Sequence, residues 1–195
     1  EPIHAWVSRW PRLMAMLDRS ATLDGGGVSK EMRAARKAHR AVLIGFGPTG
    51  RTVERLLKDA GVESTVTELN IDTSREIREL GVDAVYGDAT RPETLIEAGI
   101  QGASNLILTA AGMANSTEVI RAAREANPAI RVLARGSYLR DVPALRSAGA
   151  DTVYTGEGEV ALAFVEDLLL RLGATAEQIE RERLRAHEEL FKESG

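Results

Sequence analysis

The chain reads AVLIGFGPTGR from Ala41 to Arg51, so an apolar segment runs directly into the pattern G-x-G-x-x-G and then into a helical pattern. This order of strand, glycine turn and helix is typical of a Rossmann-type nucleotide site. Gly45 allows a sharp turn off the strand, Gly47 allows backbone N–H groups to approach a phosphate, and Gly50 allows close helix–sheet packing. The following helix directs the positive end of its dipole at the phosphate.

From Ala41 onward, apolar strands alternate with helices. The predicted strands are 41–46, 62–69, 82–86, 104–109, 130–134 and 151–154, and the predicted helices are 49–60, 73–80, 92–98, 115–126 and 138–147. Such alternation is typical of a parallel sheet with right-handed crossovers and helices on both faces. The predicted fold class is therefore α/β, a Rossmann-like doubly wound parallel sheet with N-terminal and C-terminal helical extensions.

Two of the predicted helices begin with a pattern that matches the capping box. Thr73 is followed by Glu76, and Thr90 is followed by Glu93. In this motif the first side chain caps the helix while the acid reaches back to the backbone of the cap residue. We therefore expect Thr73 and Thr90 to cap their helices.

The chain is expected to contain three regions. Residues 1–39 form an amphipathic connector helix and linker, residues 40–155 a Rossmann-type domain, and residues 156–195 the C-terminal helices that supply a dimer contact. The connector carries Trp6 and Trp10; it packs on its own domain or a second copy, or it lies beside a membrane, where tryptophan is favoured. The first C-terminal helix is apolar on more than one face, so two surfaces are needed to cover it.

Composition excludes several classes of function. The 195 residues include 29 acidic and 25 basic side chains, for a net charge of −4, so a nucleic-acid partner is not expected. The chain has no cysteine, which removes disulfides, thiolate catalysis and Cys-ligated metals. No segment is apolar for long enough to span a membrane. His4, His39 and His187 all lie outside the predicted sheet unit, so neither catalytic nor metal-binding residues are predicted.

The tip of the second strand is the position that addresses ribose in a Rossmann fold. This tip reads Glu68-Leu69-Asn70, and we take Asn70 as the tip residue. NAD sites normally present a carboxylate here, whereas the Asn amide both donates and accepts hydrogen bonds. Asn70 therefore makes NAD less strongly indicated as the ligand, and AMP, ADP or ATP are equally compatible with it. Glu68 is either a ligand residue or a strand residue paired with solvent or an arginine.

Three further residues follow the ends of predicted strands. Asp88 accepts a hydrogen bond from the adenine amino group or is a bare turn residue, and Arg135 contacts phosphate, in its own site or across a dimer, or forms a surface salt bridge. Ala110 is small enough to leave room for ribose or phosphate. The candidate cofactor-binding residues are Gly45, Phe46, Gly47, Pro48, Thr49, Gly50, Asn70, Ile71, Asp88, Ala89, Thr90, Ala110 and Arg135.

Several motifs in order resemble one family. They are VLIGFGPTGRTV at 42–53, ELN at 68–70, VYGDATRP at 85–92, VLAR at 132–135 and GEGEVAL at 156–162. Together they resemble the TrkA-N domain, also called KTN or RCK-N, which gates potassium channels and transporters. The resemblance is greatest to the cytosolic end of monovalent cation:proton antiporters, including the Kef-type potassium efflux systems, and it covers roughly residues 40–172.

The resemblance implies a dimeric regulator that binds an adenine nucleotide and follows a membrane transport domain of the same polypeptide, on the cytoplasmic face of the membrane. AMP is the first expectation for the ligand, with ATP, ADP and NAD(H) as alternatives. By position, the glycine loop 45–50 would hold phosphate, Asn70 the ribose, and Asp88 with Thr90 the adenine side. Ala110 would line the ribose and Arg135 the phosphate region.

Two other functions fit the sequence. A small NAD(P)-dependent oxidoreductase would need a catalytic Tyr, Lys or His near the nicotinamide, and Tyr138 with Arg140 matches that requirement poorly. A free-standing nucleotide sensor would dock on a separate membrane protein. A regulatory domain needs no catalytic Tyr, Lys or His, because its sheet unit only has to bind the nucleotide.

Overall fold

The computed structural model describes residues 40–110 and 112–192. Its strands form one parallel sheet in the order β3-β2-β1-β4-β5-β6, which is the order of dinucleotide-binding folds. The strands are β1 (Ala41–Ile44), β2 (Ser64–Glu68), β3 (Asp83–Tyr86), β4 (Asn105–Leu108), β5 (Arg131–Gly136) and β6 (Thr152–Thr155). The predicted doubly wound α/β fold is confirmed, while the predicted connector of residues 1–39 lies outside the described residues.

Seven helices are described in residues 40–110 and 112–192. They are α1 (Pro48–Asp59), α2 (Ile71–Glu79), α3 (Pro92–Glu97), α4 (Ser116–Ala126), α5 (Val142–Ala148), α6 (Gly156–Arg171) and α7 (Ala176–Lys192). Short 3₁₀ turns cover Ile100–Gly102 and Leu139–Asp141. The second turn occupies the start of the helix predicted at 138–147, so α5 begins later than its apolar pattern indicates.

Both predicted capping boxes are wrong. Helix α2 begins earlier than expected, and its cap is Asn70, whose Oδ1 accepts hydrogen bonds from the backbone N–H groups of Asp72 at 2.9 Å and Thr73 at 3.0 Å. Helix α3 follows Arg91 and has no side-chain cap, because the Thr90 hydroxyl donates to Asp88 Oδ1 instead, at 2.8 Å. Pro92 starts α3 at a position where its missing N–H costs nothing.

The two faces of the sheet carry separate apolar cores. Helices α1 and α2 pack on one face around Leu43, Val66 and Ile77. Helices α3, α4 and α5 pack on the other around a larger cluster that includes Leu106 and Ile120. Because right-handed crossovers in opposite directions place helices on opposite faces, this division follows from the strand order.

The face that carries α1 and α2 is incompletely covered over β4, β5 and β6. Ile107 of β4 and Leu133 of β5 lie side by side there and are only partly buried. Tyr154 of β6, which pairs with Arg135, is 45% exposed. Apolar side chains on this half of the sheet are therefore accessible to a further surface.

The C-terminal helices α6 and α7 pack against each other. Phe191, near the end of α7, is buried in the larger core and stacks on His187 with ring centroids 4.4 Å apart. A Cβ at Gly158 would meet the Phe191 ring at 3.0 Å, so the glycine makes room for this contact. None of the helices within the described residues has the length and apolar character required to cross a bilayer.

Candidate nucleotide-binding site

A cavity of about 470 Å³ lies at the carboxyl ends of the strands, around the switch point between β1 and β4. Ligands of open α/β sheets bind at this place, because diverging connections leave a crevice there. Its volume falls within the usual range for small-molecule sites. The lining residues are Ile44, Gly45, Phe46, Gly47, Pro48, Thr49, Thr67, Glu68, Leu69, Gly87, Asp88, Ala89, Thr90, Thr109, Ala110, Met113, Ala114, Asn115 and Arg135.

The glycine loop between β1 and α1 is held tightly. Gly45 has φ of 92°, a conformation that residues with a side chain rarely adopt. A Cβ at Gly50 would collide with the Gly45 carbonyl oxygen and would approach Thr109 Oγ1 at 2.9 Å. The Thr109 hydroxyl donates toward the carbonyl oxygens of Ile44 at 3.0 Å and Gly45 at 2.9 Å. The start of α1 therefore packs closely against the ends of β1 and β4, as the glycine pattern predicts.

The start of α1 offers donors to a phosphate. Gly47 is the N-cap, Pro48 has no N–H, and Thr49 and Gly50 follow in the first turn, where helical N–H groups have no partner within the helix. A Cβ at Gly47 would meet nothing within 4 Å, so the loop is open to the cavity at this point. The N–H groups and the helix dipole together favour an anion.

The carboxylate of Glu68 joins the glycine loop to the tip of β2. Its Oε2 accepts a hydrogen bond from the Phe46 N–H at 3.1 Å, and its Oε1 accepts one from the Asn70 N–H, also at 3.1 Å. Glu68 is the last residue of β2 and lines the cavity. A carboxylate at this tip can accept hydrogen bonds from ribose hydroxyls, since each oxygen retains a further lone pair.

Asp88 lies in the loop after β3 and lines the cavity beyond the end of β2. The backbone N–H of Thr90 donates to Asp88 Oδ1 at 2.9 Å, and the Thr90 hydroxyl donates to the same atom. These bonds, the backbone bond first, and the positive charge of Arg91 lower the pKa of Asp88 below its ordinary 3.8. The group is therefore an ionised hydrogen-bond acceptor at neutral pH and lines the cavity.

Arg135 closes the cavity on the side of β5. Its Nη1 donates to Thr49 Oγ1 at 3.0 Å and toward the Thr109 carbonyl oxygen at 3.3 Å. The side chain is partly buried, and within the described residues the guanidinium is not ion-paired with a carboxylate. A half-buried cation next to the first turn of α1 adds its charge to the N–H groups that face the cavity.

The structure brings most of the predicted site residues together. Lining positions are occupied by Gly45, Phe46, Gly47, Pro48, Thr49, Asp88, Ala89, Thr90, Ala110 and Arg135, whereas Gly50, Asn70 and Ile71 do not line the cavity. Gly50 supports the loop from behind, and Asn70 Oδ1 is committed to the start of α2. Ile71, the next residue, is exposed at the start of the same helix.

The sequence-based set left out nine of the lining residues: Ile44, Thr67, Glu68, Leu69, Gly87, Thr109, Met113, Ala114 and Asn115. Thr67 and Glu68 lie at the end of β2, and Met113, Ala114 and Asn115 precede α4. Thr67 is buried, and its hydroxyl has no partner within the part of the chain that the structure describes. The signal for Glu68 was present in the strand pattern, because a strand that ends one residue earlier than predicted makes Glu68 its last residue. Nothing local to residues 113–115 marks them.

The described residues contain no group of three or more His, Asp or Glu side chains that could hold a metal ion. The cavity lining likewise contains carboxylates, hydroxyls and one guanidinium, and, within residues 40–110 and 112–192, no His, Lys or Tyr. This set of groups can bind a phosphate, a ribose and an adenine by hydrogen bonding and charge.

Comparison with known proteins identifies the family. The sequence profile of the TrkA-N domain matches residues 41–156. The chain is similar to the putative cation/proton antiporter YbaL of Escherichia coli (strain K12), with 33% identity over 128 residues, which are 66% of this chain and 23% of YbaL. The chain thus corresponds to about a quarter of that relative's length.

Solved structures agree with this match. The TrkA-N domain of the inner membrane protein YbaL from Escherichia coli aligns with a TM-score of 0.64 and 33% identity, covering 67% of this chain and 96% of that one. A Kef C-terminal domain of Shewanella denitrificans in its AMP-bound form aligns with a TM-score of 0.63 and 21% identity, covering 80% and 98%. The GsuK channel bound to NAD shares the fold at a TM-score of 0.57 and 21% identity, covering 66% and 23%. With the glycine loop, the strand order and the sequence match in agreement, this chain belongs to the TrkA-N domain family.

Proposed function

We propose that this chain is a regulatory domain that binds an adenine nucleotide and controls a monovalent cation/proton antiporter, K⁺ or Na⁺, of which it forms the cytoplasmic part. The observation that carries the proposal is the cavity at the switch point, where helix N–H groups, two carboxylates and a guanidinium converge. The similarity to YbaL, a putative cation/proton antiporter, supplies the link to transport.

The groups in the cavity suit the three parts of an adenine nucleotide. The first turn of α1 and Arg135 suit the phosphate, and Glu68 suits the ribose hydroxyls. Asp88 suits the adenine amino group, because an ionised acceptor selects a donor at that position. AMP is our first choice of ligand, and the AMP-bound Kef domain supports it; ATP, ADP and NAD(H) are the alternatives.

The second element of the proposal is a homodimer. Helix α6 exposes an apolar stripe at four-residue spacing: Val160 is 53% exposed, Phe164 66%, Leu168 59% and, just after the helix, Leu172 81%. Side chains at this spacing line one face of a helix. Contiguous apolar surface of this kind is usually covered by a partner, and a second copy offers the same stripe.

Regulation then follows from a difference in nucleotide affinity between two dimer arrangements. If one arrangement binds the nucleotide more tightly, occupancy shifts the population toward it, and the shift reaches the membrane domain of the same polypeptide through the connector. The size of the effect is limited by that difference in affinity. A nucleotide that binds both arrangements equally changes nothing.

The alternatives make different demands on the same cavity. A small NAD(P)-dependent oxidoreductase needs an acid or base beside the nicotinamide, and Tyr138 stacks under Arg140 in an exposed loop that does not line the cavity. A free-standing sensor would share every feature of the site but lack a fused transporter. Reading the coding sequence upstream of residue 1 for hydrophobic spans separates these two regulatory forms.

The direct test is to identify the ligand that the purified chain carries. Native mass spectrometry of the protein, followed by calorimetry with AMP, ATP, NAD and NADH, is expected to detect an adenine nucleotide bound with one copy per chain. A folded sample that binds none of these compounds would refute the proposal. Turnover of NAD(P)H with a carbonyl substrate would favour the oxidoreductase.

A further inference from the structure

The cavity stops at β5. Its walls come from the ends of β1, β2, β3 and β4 and from the segments that follow them, and Arg135 is the one lining residue, among those described, that belongs to β5 or β6. In a dinucleotide-binding Rossmann fold, one nucleotide lies over each half of the sheet and the pyrophosphate crosses at the switch point. Here the second nucleotide would have to lie over β4, β5 and β6.

The side chain of Arg135 crosses the path to that second half. It begins on β5 and reaches Thr49 in the first turn of α1, where Nη1 and Oγ1 lie 3.0 Å apart. On the way it passes the end of β4, since the same nitrogen lies 3.3 Å from the Thr109 carbonyl oxygen. A ligand that extends from the glycine loop toward β5 therefore meets the guanidinium.

The segments after β4 and β5 also approach each other. Gly112 follows β4 and Ser137 follows β5, and a Cβ placed on Gly112 would lie 3.2 Å from Ser137 Oγ. The N–H groups of Ser137 and Tyr138 donate to Asp141 Oδ2, each at 2.9 Å, which fixes the second of these segments over its own strand. A second ribose between the two strand ends would need these two segments to move apart.

The charge at this boundary suits the end of a ligand. The guanidinium of Arg135 lies beside the first turn of α1, whose N–H groups are also donors. A terminal phosphate, which carries up to two negative charges, can accept hydrogen bonds from both. A pyrophosphate in the middle of a dinucleotide carries less charge on each phosphorus and continues into a bulky nucleoside.

Resting on the function proposed above, we propose that Arg135, held across the crevice by Thr49, is the residue that restricts this site to a single adenine nucleotide and selects it over a dinucleotide. The guanidinium does so in two ways: it binds the terminal phosphate, and it occupies the passage that the second nucleotide of NAD would use. A dinucleotide binds only after the Arg135–Thr49 hydrogen bond is broken.

The test is calorimetry of the full 195-residue chain with AMP, ADP-ribose and NAD, on the wild type, Arg135→Ala and a matched control. The control is Arg131→Ala, which removes an arginine from the exposed, opposite end of the same strand. The wild type is expected to bind AMP at least about tenfold more tightly than NAD or ADP-ribose, because a charge-assisted hydrogen bond is worth about that factor.

The variants are expected to diverge. Arg135→Ala should lower the affinity for AMP about tenfold or more. The affinities for NAD and ADP-ribose should stay the same or rise, so that the preference for AMP is lost. Arg131→Ala should leave all three affinities unchanged. Equal affinity of the wild type for AMP and NAD, or a preference that survives in folded Arg135→Ala, would overturn the inference while leaving nucleotide binding itself intact.

Thr49→Val provides a second route if Arg135→Ala does not fold. This change removes the hydroxyl that accepts from Arg135 but keeps the guanidinium, so NAD and ADP-ribose should gain affinity relative to AMP. An unchanged ratio in folded Thr49→Val would count against the inference. If the folded wild type binds neither AMP nor NAD, the proposed function fails, and this inference fails with it.

Discussion

At the scale of single residues, the candidate site depends on which polar groups already form hydrogen bonds within the protein and which remain for a ligand. The N–H of Phe46 is engaged by Glu68, so we expect a phosphate to approach the glycine loop at Gly47 and Thr49, which line the cavity. Asn70 is engaged at the start of α2 and leaves the tip of β2 to Glu68. A carboxylate of the kind that NAD-type sites present to the ribose is thus present at the end of β2, two positions before the residue that the sequence pattern suggested.

Gly47→Asp tests the phosphate contact. Aspartate is a favoured N-cap residue and Gly47 has ordinary helix-cap dihedrals, so the variant should keep or slightly raise its free energy of unfolding. Its carboxylate would accept from the N–H groups that the phosphate needs and would repel the phosphate charge. We expect calorimetry to show nucleotide affinity at least about a hundredfold lower.

Gly47→Ala is the matched control for that variant. Its Cβ meets open space, and it adds no charge, so its nucleotide affinity should fall by far less. Wild-type affinity in folded Gly47→Asp would show that phosphate does not approach the loop at this point.

The ionisation of Asp88 predicts a pH dependence of stability. The pKa of Asp88 is lowered in the folded chain, first by the Thr90 N–H, so its contribution to stability is full above its ordinary 3.8 and is lost as pH falls through the lower, folded pKa. The stability difference between wild type and Asp88→Asn should be constant from about pH 5 to 8 and should shrink below about pH 4. Urea unfolding of both proteins across this range measures it; a difference that persists undiminished at pH 2 would contradict the assignment.

At the scale of elements, the segment from β2 to α2 places one polar side chain at the cavity and another at a helix start. Glu68 ends the strand and lines the cavity, whereas Asn70 starts the helix and does not. The two side chains lie two residues apart in sequence, yet each serves a different element. Their substitutions should therefore have different consequences.

Asn70→Ala and Glu68→Gln form a pair that tests this separation. Asn70→Ala removes an N-cap and should lower the free energy of unfolding by about 0.5–2 kcal/mol, with nucleotide affinity nearly unchanged. Glu68→Gln keeps the shape of the side chain but loses the charge, and it should weaken nucleotide binding about tenfold. Chemical denaturation and calorimetry on both variants decide; a binding loss confined to Asn70→Ala would restore Asn70 as the ribose contact.

At the scale of the whole molecule, two apolar surfaces remain uncovered. One is the stripe on α6 that includes Phe164 and Leu168, and the other is the half-sheet that includes Leu133 and Tyr154. Both are features of residues 40–110 and 112–192 taken as a single copy. A second copy that covers the α6 stripe would also explain why this helix carries so few charges on that face.

Phe164→Glu tests the proposed dimer. The wild type should sediment as a dimer at tens of micromolar, whereas a charge in the middle of the stripe should give a monomer with the same far-ultraviolet circular dichroism. Ala163→Glu places the same charge on an exposed neighbouring position off the stripe and should remain dimeric. A wild type that sediments as a monomer, or a dimer unaffected by Phe164→Glu, would exclude this helix as the contact.

The sequence by itself predicted the alternating strands and helices of a parallel sheet, the glycine loop and most of the residues that line the cavity. Apolar runs, glycines and helix patterns act over a few residues, and parallel connections bring the strand ends to one edge whatever the detailed packing is. Asp88 and Arg135 were found because each lies at the carboxyl end of a strand, Asp88 just after β3 and Arg135 near the end of β5.

Only the tertiary structure decided how those residues are used. The hydrogen bond from Phe46 to Glu68 joins residues 22 apart, and that from Arg135 to Thr49 joins residues 86 apart. The sequence around one of these residues does not indicate its partner, because a side chain's hydrogen bonds depend on which groups the packed sheet and helices place beside it. For the same reason the helix cap at Asn70 and the boundary of the cavity at β5 became visible only in the folded chain.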